Sequence, residues 1–157
     1  MTEGTKSYLI GCHQFFLHPL WVIVAWRKVH GCYPRFWELI CIFIHDIGVC
    51  GRQYLSVSGA KRGHWERGAG WAYKLFGYSG YALCAGHTSE SGEFRSPLFL
   101  ADKYSWLVAP MWWLWSNYRL ESFKVANPVE WKMVVAQALE KEAHFSCHEL
   151  YERKFSG

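Results

Sequence analysis

The sequence predicts an all-α domain, and three observations carry that expectation. No stretch of any length alternates apolar and polar residues with the two-residue period of a strand. His18-Pro19, Pro34, Ser96-Pro97 and Asn127-Pro128-Val129-Glu130 read as helix starts, because proline's fixed φ and missing N–H suit a first helical turn. Phe36 to Ile44 is almost wholly apolar, as a buried helix requires. The expected fold is a compact single-domain helical bundle, five core helices plus a C-terminal amphipathic helix over residues 127–151.

Residues Met1 to Gln14 carry little pattern and read as a frayed or docked end. The first helix starts at His18-Pro19, with Pro19 as its first residue, and runs to His30, where Gly31 stops it. On a 3.6-residue period His18, Val22, Ala25 and Val29 share one stripe of small groups, suited to a close neighbouring helix. The second helix opens at Pro34 and runs through His45-Asp46 to Gly48. Val49 to Gly63, rich in Gly and Ser with Arg52, Lys61 and Arg62, reads as an irregular cationic loop.

A third helix spans His64 to Phe76, with Gly77 beyond its end, and a short fourth spans Tyr78 to His87. Thr88 to Arg95 is a polar, Gly-containing loop suited to a lid. The fifth helix begins at Ser96-Pro97, contains Asp102 and Lys103, and meets Pro110, which should kink or end it. In the last helix Trp131, Val134, Val135, Ala138 and Leu139 recur at amphipathic spacing, so it should pack on the rest.

Composition narrows the function. A chain of 157 residues buries roughly two thirds of its unfolded surface and needs no disulfide. The six cysteines form no CxxC pair, which fits a reducing cytoplasm. The longest apolar runs, Leu20 to Trp26 and Leu107 to Trp115, fall far short of the ~20 residues of a membrane span, so no membrane partner is expected. A formal charge of +4 favours small anionic ligands without demanding nucleic acid. Ten tryptophans point to a bulky core, and Trp112, Trp113 and Trp115 to a surface for homo-oligomer formation, though a core or lipid-facing patch reads the same way.

The site emerges from Ile42 to Gly48, where His45 and Asp46 stand side by side at the end of the apolar run. Two unpartnered polar groups there would cost roughly 2 kcal/mol or more each. A bound cation removes that cost. Of the 13 acidic residues only Asp46 and Asp102 are aspartates, and each follows an apolar stretch, as expected where coordination needs a short, stiff carboxylate. His18, His45, Asp46, His64, His87 and Asp102 fall near the ends of five helices. His13, and more remotely His30, compete with His18 for the first position. His144 and His148, at i and i+4, are expected to face solvent, opposite the stripe that contains Trp131 and Val134.

The order of these residues resembles the HD-domain superfamily of metal-dependent phosphohydrolases. The resemblance covers roughly His18 to Tyr118 and rests on "HDIG" at His45 to Gly48, "HWERGA" at His64 to Ala69, "GH" at Gly86-His87 and "SPLFLADK" at Ser96 to Lys103. It implies a single HD-like domain over 1–157. His18, His45, Asp46 and Asp102 would form one metal site, with Asp46 bridging to a second held by His64 and His87. The implied cofactors are two divalent transition-metal ions, Mn, Fe, Ni, Co or Zn, because imidazole suits them better than Mg or Ca.

The activity implied is hydrolysis of a phosphate ester or anhydride of a nucleotide or small phosphorylated metabolite, by a metal-activated hydroxide. Asp46 and Lys103 are the expected catalytic residues. Arg52, Lys61, Arg62, Arg67 and Arg95 are candidates for the remaining phosphate oxygens, and Trp65, Tyr104 or Trp106 for stacking a base. The same ligands also serve di-iron oxygenases of the superfamily, the second reading. A non-catalytic nucleotide- or protein-binding domain is the third.

Overall fold

The computed structural model describes residues 1–53, 63–120 and 127–155, with side chains described as far as 141. Those residues contain seven α-helices and no strand. They are α1 (Glu3–Ile10), α2 (Leu17–His30), α3 (Phe36–Ile44), α4 (His64–Ala85), α5 (Pro97–Val108), α6 (Met111–Leu120) and α7 (Pro128–Phe155). They make one compact domain, and no helix among them is long and apolar enough to cross a membrane.

The expected helix signals act where they stand, with shifts of one or two residues. Asn127 caps α7, its Oδ1 accepting from the N–H groups of Val129 and Glu130, while Glu130 accepts from Asn127 N–H in return. Ser96 precedes α5 and Pro97 is its first residue. α2 begins at Leu17, two residues ahead of Pro19. The N-terminal stretch is docked: α1 lies against the chain after α3, with Gly4 N–H donating to Arg52 O at 2.9 Å.

One expectation is corrected and two are kept. The second helix stops at Ile44, His45 is its cap, and Asp46 at φ −94°, ψ 6° leads into a 3-10 turn, Ile47–Val49, so the doublet sits on a helix end. Gly77, at φ 64° and ψ −153°, is not helical, so α4 is two helical segments that meet at a kink there, the boundary the sequence marks between the third and fourth helices. Pro110 ends the fifth helix, as expected, and a separate helix, α6, follows it and contains Trp112, Trp113 and Trp115. Trp113 is 3% exposed and belongs to the core, while Trp112 and Trp115 are exposed.

α2 packs along α5, and α3 along α4. The core joins Val22 and Trp26, Cys41 and Ile42, Ala69 and Ala72, Leu83 to Ala85, and Leu98 and Ala101. The buried small residues of α2, Val22 and Ala25, let it approach α5 closely. A second cluster, Ala109, Trp113 and Leu114, is closed by Leu17, Trp21 and Trp106. α7 is tied down by Lys132, whose ammonium donates to the carbonyls of Leu107 and Ala109 at 2.9 Å each, satisfying the exposed end of α5. Cys12, Cys32, Cys41, Cys50 and Cys84 are free thiols.

Candidate metal centre

Each ligand comes from a helix end except Asp102, which the sequence also placed near an end and which stands in the middle of α5. His18 comes from the first turn of α2, His45 and Asp46 from the unwound end of α3, His64 from the first position of α4, His87 from just after Gly86 at the end of α4, and Asp102 from α5. Two glycines make the convergence possible. A Cβ on Gly48 would stand 1.7 Å from the His64 carbonyl oxygen, and one on Gly68 2.5 Å from the His45 carbonyl oxygen. Only hydrogen at these positions lets the doublet lie against the start of α4.

All six expected ligands are brought together. On one side, Asp46 Oδ2 is 3.4 Å from His18 Nε2 and 3.4 Å from His45 Nε2. Asp102 Oδ1 is 3.1 Å and 3.7 Å from the same two nitrogens. On the other side, Asp46 Oδ1 is 3.9 Å from His64 Nε2 and 3.7 Å from His87 Nε2, and those two nitrogens are 3.2 Å apart. The two oxygens of one carboxylate thus face two different groups of ligands.

Coordination accounts for these contacts better than hydrogen bonding does. His45 Nε2 and both ring nitrogens of His18 are buried and make no hydrogen bond, although carboxylate oxygens stand close by. Buried polar atoms without partners cost about 1–3 kcal/mol each. A cation with bonds of about 2.1 Å holds neighbouring ligand atoms about 3.0–3.5 Å apart, close to the 3.1–3.7 Å found around Asp46 Oδ2 and Asp102. His18, His45 and Asp102, and likewise His45, Asp46 and His87, offer donor atoms within 4.8 Å of one another. The residues present therefore fit metal ions.

Surrounding groups fix the donors. His45 Nδ1 lies 2.6 Å from the Ile42 carbonyl, and His87 Nδ1 bonds the Cys84 carbonyl. A carbonyl only accepts, so Nδ1 carries the proton and Nε2 is left to bind. Glu90 Oε2 stands 3.8 Å from His64 Nδ1, too far for a hydrogen bond.

The metal-free charges follow from burial and neighbours. Burial opposes the charged form of His45, but Asp46 and Asp102 outweigh it and push its pKa up to about 9. Burial, reinforced by the His45 charge, takes His87 down to about 3. Burial would raise the carboxyl of Asp46, yet His45 and the other histidines hold it well below the usual range. Asp102 is held down, against burial, by Lys103 first and then by His18 and His45. Lys103, 2.9 Å from Asp102 Oδ2, is raised by that charge against the opposing effect of burial.

The centre opens on a cavity of about 420 Å³. His18, Asp46, His64, His87 and Asp102 line it, together with Lys103, His13, Thr88 and Glu90, and with Phe99, Trp106 and the stripe of α7. Among the described residues proposed to bind phosphate, Lys103 alone lines this cavity. Arg52 donates to Gly48 O, Arg67 donates to Cys50 O, and Arg95 lies over the Phe99 ring, which are contacts within the fold. Lys61 and Arg62 lie outside the described residues, as do the side chains of His144 and His148. Trp106 reaches the cavity, whereas Trp65 packs on Tyr81. His30 bonds the Pro97 carbonyl, away from the centre, while His13 holds Ser7 Oγ at 2.8 Å with its ring 6.4 Å from that of His18. Glu90 carried no signal in the sequence, and the α7 stripe that the sequence showed as a packing face lines the cavity. A comparison with family models, curated proteins and solved structures finds no match to this chain.

Proposed function

We propose that this chain is an HD-type metal-dependent phosphohydrolase that cleaves a phosphate ester or anhydride at a centre of two divalent transition-metal ions. The observation that supports it is the division of Asp46, whose Oδ2 faces His18 and His45 while Oδ1 faces His64 and His87. His18, His45 and Asp102 would hold one ion, His64 and His87 the other, and Asp46 both. Such a pair supplies hydroxide at neutral pH and neutralises charge on a phosphoryl group.

The chain's own residues do the remaining work. Lys103 keeps its proton beside Asp102 and presents its ammonium to the cavity, where it binds a phosphoryl oxygen and offsets the charge that grows there. Ile42 O and Cys84 O keep the imidazoles of His45 and His87 in the binding tautomer. Asp46 and Asp102, held as carboxylates, balance the cations. No side-chain nucleophile is needed.

The test is metal analysis coupled to a screen of nucleotides and phosphomonoesters, with Mn and Fe supplied separately. Metal-dependent release of inorganic phosphate is the expected result. Oxygen uptake that depends on substrate in anaerobically purified iron protein would replace hydrolysis by oxidation. Retained metal without turnover across the whole panel would make the domain a binding module.

A further inference from the structure

The lining of the cavity is of two chemical kinds. The polar part is Asp46, Asp102, Lys103, Thr88, Glu90 and the histidines. The apolar wall beside it is built by Phe99, near the Lys103 ammonium, by Trp106, near the His18 ring, and by Trp131, Val134, Ala138 and Leu139 of α7. Val134 is 51% exposed and Ala138 is also exposed, so this wall meets solvent through the cavity rather than a packed neighbour. Among the described residues, its only side-chain hydrogen-bonding groups are the two indoles. A nucleoside brought there would bury ribose hydroxyls and base edges against aliphatic carbon, and each unpaired group weakens binding.

We infer that the substrate is an organic phosphate whose non-phosphate part is apolar, an alkyl or aryl group laid along α7, rather than a nucleotide. This rests on the hydrolase reading for the phosphate end, while the apolar wall stands on its own geometry. Phosphate is drawn to the metals and Lys103, and the tail covers Val134, Ala138 and Leu139. Each methylene buried there tightens binding by up to about fourfold. The tryptophan pair Trp106 and Trp131, 5.8 Å apart and at 82°, forms a firm edge to this wall.

The experiment titrates the metal-loaded protein by calorimetry with n-alkylphosphonates of increasing chain length, ethyl to octyl, which no hydrolase cleaves at the P–C bond, and with nucleoside monophosphates. The expected result is a Kd falling two- to fourfold per methylene until the wall is covered, with a negative heat-capacity change. Val134→Ser, at an exposed position, should flatten that slope with metal content unchanged. A Kd independent of chain length, no binding at all, or nucleotides bound more tightly than octylphosphonate would overturn the inference. A clear slope with no turnover of the matching alkyl phosphates would instead sink hydrolysis and leave the apolar subsite standing.

Discussion

His64 Nε2 and His87 Nε2 stand 3.2 Å apart, and only one of them has a proton to share. His87 has its proton on Nδ1, donated to Cys84 O, and with a pKa taken down to about 3 it has no second one. In the metal-free protein His64 therefore donates to His87. An ion between them replaces that proton, and His64 can move it to Nδ1, on the side of Glu90.

Metal binding should release protons. His45, pushed up to about 9, is charged at neutral pH in the metal-free protein and must lose its proton to coordinate. Affinity should rise about tenfold per pH unit from 7 to 9, with close to one proton released per protein at pH 7, measured by calorimetry in buffers of different ionisation enthalpy. Stability of the metal-free fold should follow the same groups. The raised pKa of His45 contributes stability that is complete below its ordinary 6.5 and lost as pH rises through about 9. The lowered pKa of His87 contributes stability that is complete above 6.5 and lost as pH falls through about 3. Binding without proton release would contradict this assignment.

Removal of the shared carboxylate should differ from removal of one imidazole. Asp46→Ala takes an oxygen from both ligand groups and should strip both metals. His64→Ala should lose about one metal and most activity while the fold persists. Elemental analysis decides between them, and full metal content in Asp46→Ala would refute the two-metal assignment.

Lys103 should matter to substrate more than to metal. Lys103→Met keeps the length of the side chain and removes its charge, so metal content should hold while kcat/KM for phosphate esters falls by about 10²-fold or more. Equal kcat/KM in variant and parent would return Lys103 to the role of a surface partner for Asp102.

Two glycines should respond in opposite directions. Gly48→Ala drives a methyl group into the His64 carbonyl, 1.7 Å from the ideal Cβ, and should cost about 1–3 kcal/mol and lower the occupancy of the His64 and His87 site. Gly70, on the same helix as His64, has nothing within 4 Å of its Cβ position, so Gly70→Ala should stabilise by up to about 1 kcal/mol. Thermal unfolding of the two variants checks both, and equal shifts would show that close backbone approach is not what Gly48 provides.

The ligands were legible because the histidines and Asp46 stand at helix ends and because aspartate is scarce in this chain. Asp46 and Asp102 are the chain's only aspartates, and Pro97 and Gly77 mark boundaries that the structure keeps. Other features were hidden for physical reasons. The α7 stripe announced an apolar face, but periodicity does not say whether that face meets a core or a cavity, and here it meets a cavity. Arg52 and Arg67 showed positive charge near the doublet, yet a guanidinium serves a loop carbonyl as readily as a phosphate, and both serve carbonyls. The run Trp112, Trp113 and Trp115 read equally as interface or core, and α6 divides it, with Trp113 in the second cluster and the other two exposed.

The central claim is that Asp46 bridges two ions. Anomalous diffraction from crystals grown with Mn tests it most directly. The account predicts two peaks, one beside each oxygen of Asp46, the first also within about 2.0–2.3 Å of His18, His45 and Asp102, and the second within that distance of His64 and His87. A single peak, or peaks away from Asp46, would contradict it.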